Sequence, residues 1–317
     1  MNLTYSIIIP VFNRPQEIDE LLESLTKQTY PKDFEVLIIE DGSTLKSEDI
    51  VSKYADRLNI KYHFKENSGA GASRNFGMEL ATGNYFIILD SDCIIPPHYL
   101  EAVDFGLDEN YTDSFGGADA AHDSFTDLQK AINYSMTSFL TTGGIRGSKK
   151  SVDKFQPRSF NFGISKNAFR VTKGFSTMKI GEDIDLTFRL WENNFHTQFI
   201  EKAFVYHKRR TSLKQFFRQT FLFGNARPFL NRKYPDTAKI TYWFPTLFMV
   251  FLLASLVFLF IGFKLPAGLF AIYFAALFLD SFIKNKKISL AALSIVTTLI
   301  QFTGYGLGFL RGLFGIY

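Results

Sequence analysis

The run Tyr85-Phe-Ile-Ile-Leu89 ends in Asp90-Ser91-Asp92. An apolar run of this length, bounded by polar residues, reads as a buried strand. Acidic side chains at the carboxyl end of such a strand sit where open α/β sheets bind their ligands. On a continuing strand Asp90 and Asp92 would face one side; a turn at Ser91 would re-aim them. Two hard oxygen ligands beside a nucleotide crevice suit Mg²⁺ or Mn²⁺ carrying a diphosphate. Taken alone, the pair reads first as a turn closing a strand, so its meaning rests on the rest of the chain.

Other residue groups could also do chemistry. Ile180-Gly181-Glu182-Asp183-Ile184-Asp185-Leu186 places acids at the opening of a helix whose inner face is Leu186, Leu190 and Trp191. Acids in a first helical turn favour the dipole, which is their plainest explanation. Asn67-Ser68-Gly69-Ala70-Gly71 lacks a third glycine at the dinucleotide offset, and no G-K-[ST] follows, so it is not a phosphate fingerprint. His207 stands at the end of the strand Phe195–Tyr206, whereas His63, His98, His122 and His196 have no chemical context. Cys93, the one cysteine, excludes an intramolecular disulfide and reads as a small buried filler.

The elements that must position these residues follow in order. Ser6-Ile-Ile-Ile-Pro-Val-Phe12 is a first strand, and Asn13-Arg14-Pro15 turns into a helix with Pro15 in its first turn. Phe34–Ile39 is a second strand ending in Glu40-Asp41-Gly42-Ser43. A polar helix to about Asp56, a short strand over Ile60–Phe64 and a helix over Ala72–Ala81 lead to the Asp90 strand, the fourth. This alternation predicts a doubly wound, Rossmann-like α/β domain. Beyond Pro96-Pro97 the alternation loosens. Ser114–Ala121 reads as a strand, Ser124–Leu140 as a helix, Thr141–Asp153 as a mobile Gly-, Ser- and Lys-rich loop, and Phe160–Ile164 as a strand.

These motifs occur together in a recognisable order: Ile7-Ile8-Ile9-Pro10-Val11-Phe12-Asn13, Asp41-Gly42-Ser43, Gly69 through Arg74-Asn75, Asp90-Ser91-Asp92, and Glu182-Asp183. In this the chain resembles the inverting family 2 glycosyltransferases of GT-A fold, over about residues 4–227. The resemblance implies a mixed-sheet GT-A catalytic domain and a nucleotide-sugar donor. It implies that Asp41 reads the base, that Pro10, Phe12 and Asn13 line its pocket, and that Gly69 turns the chain so that Arg74 approaches base or diphosphate. Asp90 would hold ribose or metal, and Asp92 the metal, a divalent Mg²⁺ or Mn²⁺. Asp183 would be the catalytic base with Glu182 beside it, and His207 a possible third metal ligand, as in some related enzymes. The chemistry asks for the same residue types. Expelling a diphosphate calls for cations beside the leaving group, and an attacking hydroxyl calls for one carboxylate base on the opposite face.

The 317-residue chain has room for an appendage, and its net charge is only +4, which argues little for nucleic acid. From Lys202 to Lys239 there are ten Lys and Arg against one acid, Asp236, with Phe216, Phe217, Phe221, Phe223 and Phe229 interleaved. Ser212 can cap a helix to about Leu222, and a basic, Phe-rich helix reads as lying on a membrane surface. Gln219 replaces the tryptophan of the family's Q-x-x-R-W motif, which speaks against a processive synthase. Tyr242–Phe263, Leu265–Ile283 and Ile288–Leu310 are each long enough to cross a bilayer. Lys284-Asn285-Lys286-Lys287 should be cytoplasmic, which gives three crossings and Tyr317 outside. Met1–Phe12 does not read as a signal peptide.

The expected organisation is therefore a catalytic domain over 1–211, a basic interfacial region over 212–239 and three transmembrane helices over 240–317. The expected activity is a membrane-anchored transfer of one sugar to a lipid-linked or glycan acceptor. A processive polysaccharide synthase and an inactive nucleotide-sugar-binding scaffold are the competing readings. The intact set Asp41, Asp90, Asp92 and Asp183 speaks against the latter.

Overall fold

The computed structural model describes residues 2–143 and 155–315. It divides into two compact units: among the described residues the first holds the chain up to 122 and 155–208, and the second joins 123–143 to 209–315. The greater part of the loop expected over Thr141–Asp153 lies outside the described residues.

The first unit is built on one eight-stranded sheet. Strands β1 (Tyr5–Val11), β2 (Glu35–Asp41), β3 (Asn59–Lys65) and β4 (Tyr85–Leu89) are parallel neighbours in the order β3-β2-β1-β4. The sheet continues through β7 (Asn161–Ser165), β6 (Ser114–Ala120), β8 (Thr197–His207) and β5 (Cys93–Ile94). β7 is antiparallel to both β4 and β6, so the sheet is mixed. The first four strands lie where the sequence puts them; β1, β2 and β4 are apolar runs buried on both faces, as parallel strands covered by helices require, whereas β3 at the sheet edge is only partly buried.

Side chains alternate across a strand, and here they feed two cores. Ile7, Ile9, Ile38 and Ile87 pack with Leu21, Leu22 and Leu25 of α1 (Pro15–Leu25) and with Leu100, Val103 and Leu107 of α4 (Tyr99–Glu109). Ile8, Leu37, Ile39 and Ile88 pack with Met78 of α3 (Ala70–Leu80) and with Leu186 and Leu190 of α8 (Glu182–Glu192). Each such buried Ile or Leu contributes about 1.5–3 kcal/mol of burial. Helices on both faces of a mixed sheet make the GT-A architecture. Two helices went unread in the sequence, α4 and α7 (Lys166–Thr172), and the polar helix expected to about Asp56 is the short α2 (Glu48–Ser52).

The second unit is helical. α5 (Asp127–Thr137) opens with a capping box in which Thr126 and Gln129 satisfy each other's backbone N–H. It is followed by α6 (Phe139–Thr142). α9 (Leu213–Lys233) is capped by the Ser212 hydroxyl, which accepts from the Gln215 N–H, and it runs through Pro228 well past the expected end at Leu222. α10 (Phe244–Phe260), α11 (Leu265–Asn285) and α12 (Ile288–Leu313) follow. Three stretches, 240–260, 265–285 and 288–313, are helical, long and apolar enough to cross a membrane.

Candidate functional site

β4 stops at Leu89, and the Cys93 N–H donates to the Asp90 carbonyl (3.1 Å), closing a turn that aims both aspartates the same way. The two-residue β5 then pairs with the end of β8 so that Cys93 faces His207. That register brings His207 to the acids: one ligand atom each of Asp90, Asp92 and His207 lies within 4.8 Å of the others. His207 Nε2 is 3.3 Å from Asp92 Oδ1, and its Nδ1 is 3.9 Å from Asp119 Oδ2. The imidazole stacks on Phe160 at 4.7 Å between centroids.

Electrostatics tie this corner together. Burial disfavours the imidazolium, but Asp92, by charge and hydrogen bond, and Asp119 outweigh it and raise the His207 pKa to about 9. Burial likewise opposes the Asp92 carboxylate, and His207 and Arg14 hold it well below the usual range. The Arg14 guanidinium donates to Asp92 Oδ2. Asp92 Oδ1 is buried, and its nearest partner is His207 Nε2, in an ion-pair contact rather than a well-aligned hydrogen bond. A buried carboxylate oxygen so poorly bonded, beside a second carboxylate and an imidazole, fits Mg²⁺ or Mn²⁺.

Arg74 links this corner to the second acidic pair. It projects from α3, one turn inside the helix that begins after Gly69, whose φ of 91° is in the left-handed region that favours glycine. Arg74 is buried; its Nη2 donates to Asp90 Oδ1 (2.8 Å), its Nη1 to Glu182 Oε1 (3.0 Å), and its guanidinium lies 5.2 Å from the Phe175 ring centroid. Burial, and then the neighbouring charge of Asp183, raise the Glu182 pKa to about 6. Asp183 Oδ1 accepts from the Ile184 N–H (2.8 Å) and Oδ2 from the Ser159 N–H (3.3 Å), so its carboxylate is fixed at the start of α8.

The end of β2 forms the remaining wall. Burial opposes the Asp41 carboxylate, but Lys65 at 2.6 Å and the backbone N–H groups of Ser68 and Gly69 (each 2.9 Å) hold its pKa below the ordinary value. Asn13, at a φ of 54°, accepts at its Oδ1 from the N–H groups of Thr44 and Leu45, both at 2.9 Å. It thereby ties the β1 and β2 ends together. Pro10 precedes this turn in β1, and the Phe12 ring is half exposed.

The structure thus joins Asp90, Asp92, His207, Arg74, Glu182 and Asp183 through contacts and sequence adjacency, with Asp41 and Asn13 at the neighbouring strand ends and Gly69 at the start of α3. Four contributors were not singled out in the sequence: Arg14, Phe160, Asp119 and Lys65. Only Lys65 had a local signal, a lysine ending the strand that follows the Asp41 strand, and the two are register partners. Cys93 is buried, and burial pushes its thiol pKa up, away from nucleophilic chemistry.

The sequence model of glycosyl transferase family 2 matches residues 6–174. Validoxylamine A glucosyltransferase of Streptomyces hygroscopicus subsp. limoneus is 41% identical over 101 residues, 31% of this chain and 22% of the relative. Poly(ribitol-phosphate) beta-N-acetylglucosaminyltransferase TarS of Staphylococcus aureus is 38% identical over 114 residues, 35% of this chain and 20% of the relative. Glycosyltransferase AglE of Haloferax volcanii is 35% identical over 152 residues, 43% of this chain and 50% of the relative. The chain therefore spans half or less of these relatives. Among solved structures, mannosyltransferase PcManGT of Pyrobaculum calidifontis, in complex with GDP-Man and Mn²⁺, superposes with a TM-score of 0.61 at 15% identity, covering 99% of this chain and 88% of that one. S. aureus TarS 1-349 in complex with UDP-GlcNAc gives 0.52 at 20% identity, covering 99% and 93%. At these identities the structural likeness shows the fold.

Proposed function

Since the chain belongs to glycosyl transferase family 2, we propose that it moves one sugar from a nucleoside-diphosphate sugar to a lipid-linked or glycan acceptor, inverting the anomeric carbon. The observation that carries this reading is the continuous charged chain from Asp92 and His207 through Asp90 and Arg74 to Glu182 and Asp183. It has the parts that a displacement at an anomeric carbon requires, cationic at the leaving group and anionic at the attacking one. The nucleotide complexes of the two structural neighbours support the donor class.

In this reading Asp41, with Pro10, Phe12, Asn13 and Gly69, receives the nucleoside. Asp90, Asp92 and His207 would hold a divalent ion, which supplies positive charge to the departing diphosphate. Arg74 adds a fixed guanidinium there, and Glu182 keeps it aimed. Asp183 takes the proton from the acceptor hydroxyl as its oxygen bonds to the anomeric carbon and the bond to the diphosphate oxygen breaks. A general base of this kind contributes about 10²–10⁴-fold. A single displacement at one face inverts the centre, whereas retention through a double displacement would need a second, nucleophilic carboxylate.

Residues 1–211 are proposed as the catalytic domain, 212–239 as a basic region at the lipid interface and 240–317 as the membrane anchor. The anchor is multi-pass, and Lys284–Lys287 favours a cytoplasmic catalytic domain. Gln219 in place of a tryptophan favours single transfer over chain polymerisation. Asp183→Asn is the test: it keeps the shape and removes the basicity. Donor affinity should stay near normal while turnover falls at least a hundredfold. Near-normal turnover removes Asp183 from the mechanism, and parallel loss of donor binding makes it a nucleotide-site residue.

A further inference from the structure

We infer that α12 does not cross the bilayer: it lies along the membrane face that carries the N-terminus, and the lipid is entered only by the α10–α11 hairpin. This rests on the membrane attachment proposed above and replaces the third crossing expected from the sequence.

The first argument concerns the two feet of the hairpin. α10 leaves from Phe244 and α11 comes back to Asn285, so a hairpin that enters the bilayer and returns has both feet on one face. α12 touches both. At the first foot, the Thr246 hydroxyl donates to the Gly306 carbonyl (3.3 Å), and Phe244 packs edge-on to Phe302 at 5.5 Å. The backbones are so close that a Cβ on Gly306 would stand 3.1 Å from Thr246 Cα. At the second foot, the Ser281 and Ser294 hydroxyls share a hydrogen bond of 2.8 Å. Ser294 and Gly306 lie about 18 Å apart along a helix axis. Phe248, just inside α10, also packs on Phe270 and Phe274 of α11 (5.2 and 6.4 Å between centroids), so the first contact stands about 10 Å along α11 from Ser281, while α12 advances further over the same interval. α12 is therefore oblique to α11, inclined toward the membrane plane if α11 is upright.

The second argument is independent and concerns α9. It packs beside the last half of α12 with almost no side chain between them. Cβ atoms on Gly304, Gly308 and Gly312 would stand 2.2 Å from Thr220 Oγ1, 2.0 Å from the Phe221 carbonyl oxygen and 2.4 Å from the Asn225 carbonyl oxygen. The contacts advance in the same direction on both helices, so the first turns of α9 lie level with the middle of α12, where Phe216 packs near Ile300. Those turns expose Lys214, Gln215 and Arg218. A perpendicular α12 would carry them about 20 Å below the Lys284–Lys287 turn, into hydrocarbon that charged side chains avoid. An in-plane α12 leaves them in water.

The two sides of α12 agree with this placement. Its polar side is covered: Ser294, Thr297 and Thr298 are buried, and the Thr297 hydroxyl donates to the Ala131 carbonyl of α5 (3.1 Å). Its exposed large residues include Ile288, Val296 and Leu307, an apolar edge suited to the headgroup–acyl boundary. α10 differs, since Phe251, Leu253, Leu256, Val257 and Leu259 expose apolar surface all round, as a helix surrounded by lipid does.

The experiment uses the full chain with one protease-cleavable tag at the N-terminus or one after Tyr317, in sealed vesicles of known sidedness. Both tags should be cleaved from the same side. Cleavage of the C-terminal tag from the opposite side overturns the proposal in favour of a third crossing. Because a tag can perturb an end, Lys214→Cys gives a second readout with a membrane-impermeant maleimide, the unsubstituted protein serving as blank. Labelling from the N-terminal side is expected, and a thiol that reacts only after detergent overturns the in-plane placement. Extraction of the protein into the soluble fraction by alkaline carbonate would instead sink the membrane attachment itself.

Discussion

At the residue scale, the site works by holding charges that would repel if left to themselves. Asp90 and Asp92 tolerate each other because Arg74, Arg14 and His207 are wedged against them. Replacing Asp92 by Ala removes one proposed ion ligand, takes the carboxylate from Arg14 and leaves His207 with Asp119. Mn²⁺ affinity, read by calorimetry, should fall at least tenfold, and stimulation by Mn²⁺ should vanish. An Asp92→Ala protein that binds the ion as tightly as the parent would take Asp92 out of that role. The acids were legible in the sequence because a strand ending in D-x-D is local. Arg14, Asp119 and Phe160 were not, because they arrive from separate parts of the sheet, the turn after β1, the β6–β8 pair and the approach to β7, while the two-residue β5–β8 pairing sets His207 beside Asp92. Nothing in the chain near Cys93 announces that pairing.

A residue outside the site gives a prediction about pH. Glu35 is buried at the start of β2, where it accepts from the Ser6 hydroxyl (2.7 Å), the Lys61 ammonium (2.8 Å) and the Thr82 N–H (3.0 Å). Burial by itself would raise its pKa, but Lys61, Ser6 and Thr82 prevail and bring it to about 2, from an ordinary 4.5. A depressed carboxyl pKa stabilises the fold fully above the unfolded value and loses that contribution as pH falls from about 4.5 to about 2. The size is about 3 kcal/mol at most. Glu35→Gln should therefore lower Tm at pH 7 and narrow its gap to the parent across that window, in thermal melts at stepped pH. A gap that stays constant down to pH 2 would contradict the assignment.

At the element scale, strands were easier to read than helices. β1, β2 and β4 announce themselves because a parallel strand buried on both faces needs an unbroken apolar run. α4 was missed although Leu100, Val103 and Leu107 keep helical spacing, since the alternation loosens after Pro96-Pro97. α9 was cut short for the opposite reason. Its later half carries Gly224, Asn225 and Pro228, poor helix formers in isolation, and tertiary packing overrides them: a Cβ on Gly224 would stand 2.0 Å from the Tyr305 carbonyl oxygen. Close packing of this kind predicts sensitivity to one methyl group. Gly308→Ala should force α9 and α12 apart and cost about 1–3 kcal/mol, seen as a Tm lower by several degrees in detergent. Leu307→Ala, at an exposed neighbour, serves as control. Equal melting of Gly308→Ala and the parent would mean that the two helices are not held so closely.

At the scale of the whole molecule, composition separated an alternating α/β half from an apolar helical one, and the structure divides into an α/β unit and a helical unit. The sequence could not show that the segment from 123 belongs with the helical half. α5 joins it through long-range bonds, Lys287 to Asp127 (2.9 Å) and Tyr134 to Asp280 (2.6 Å), that no local pattern encodes. The central claim is that one half carries out a nucleotide-sugar-dependent transfer with Asp183 as base. The most direct measurement incubates membranes bearing the parent protein or Asp183→Asn with a panel of nucleotide-sugars and an acceptor lipid extract, and follows released nucleoside diphosphate. Release by the parent with one donor, reduced at least a hundredfold in Asp183→Asn while that donor still binds, is the predicted result. Equal release by the two proteins, or none by the parent with any donor and either Mg²⁺ or Mn²⁺, would contradict it.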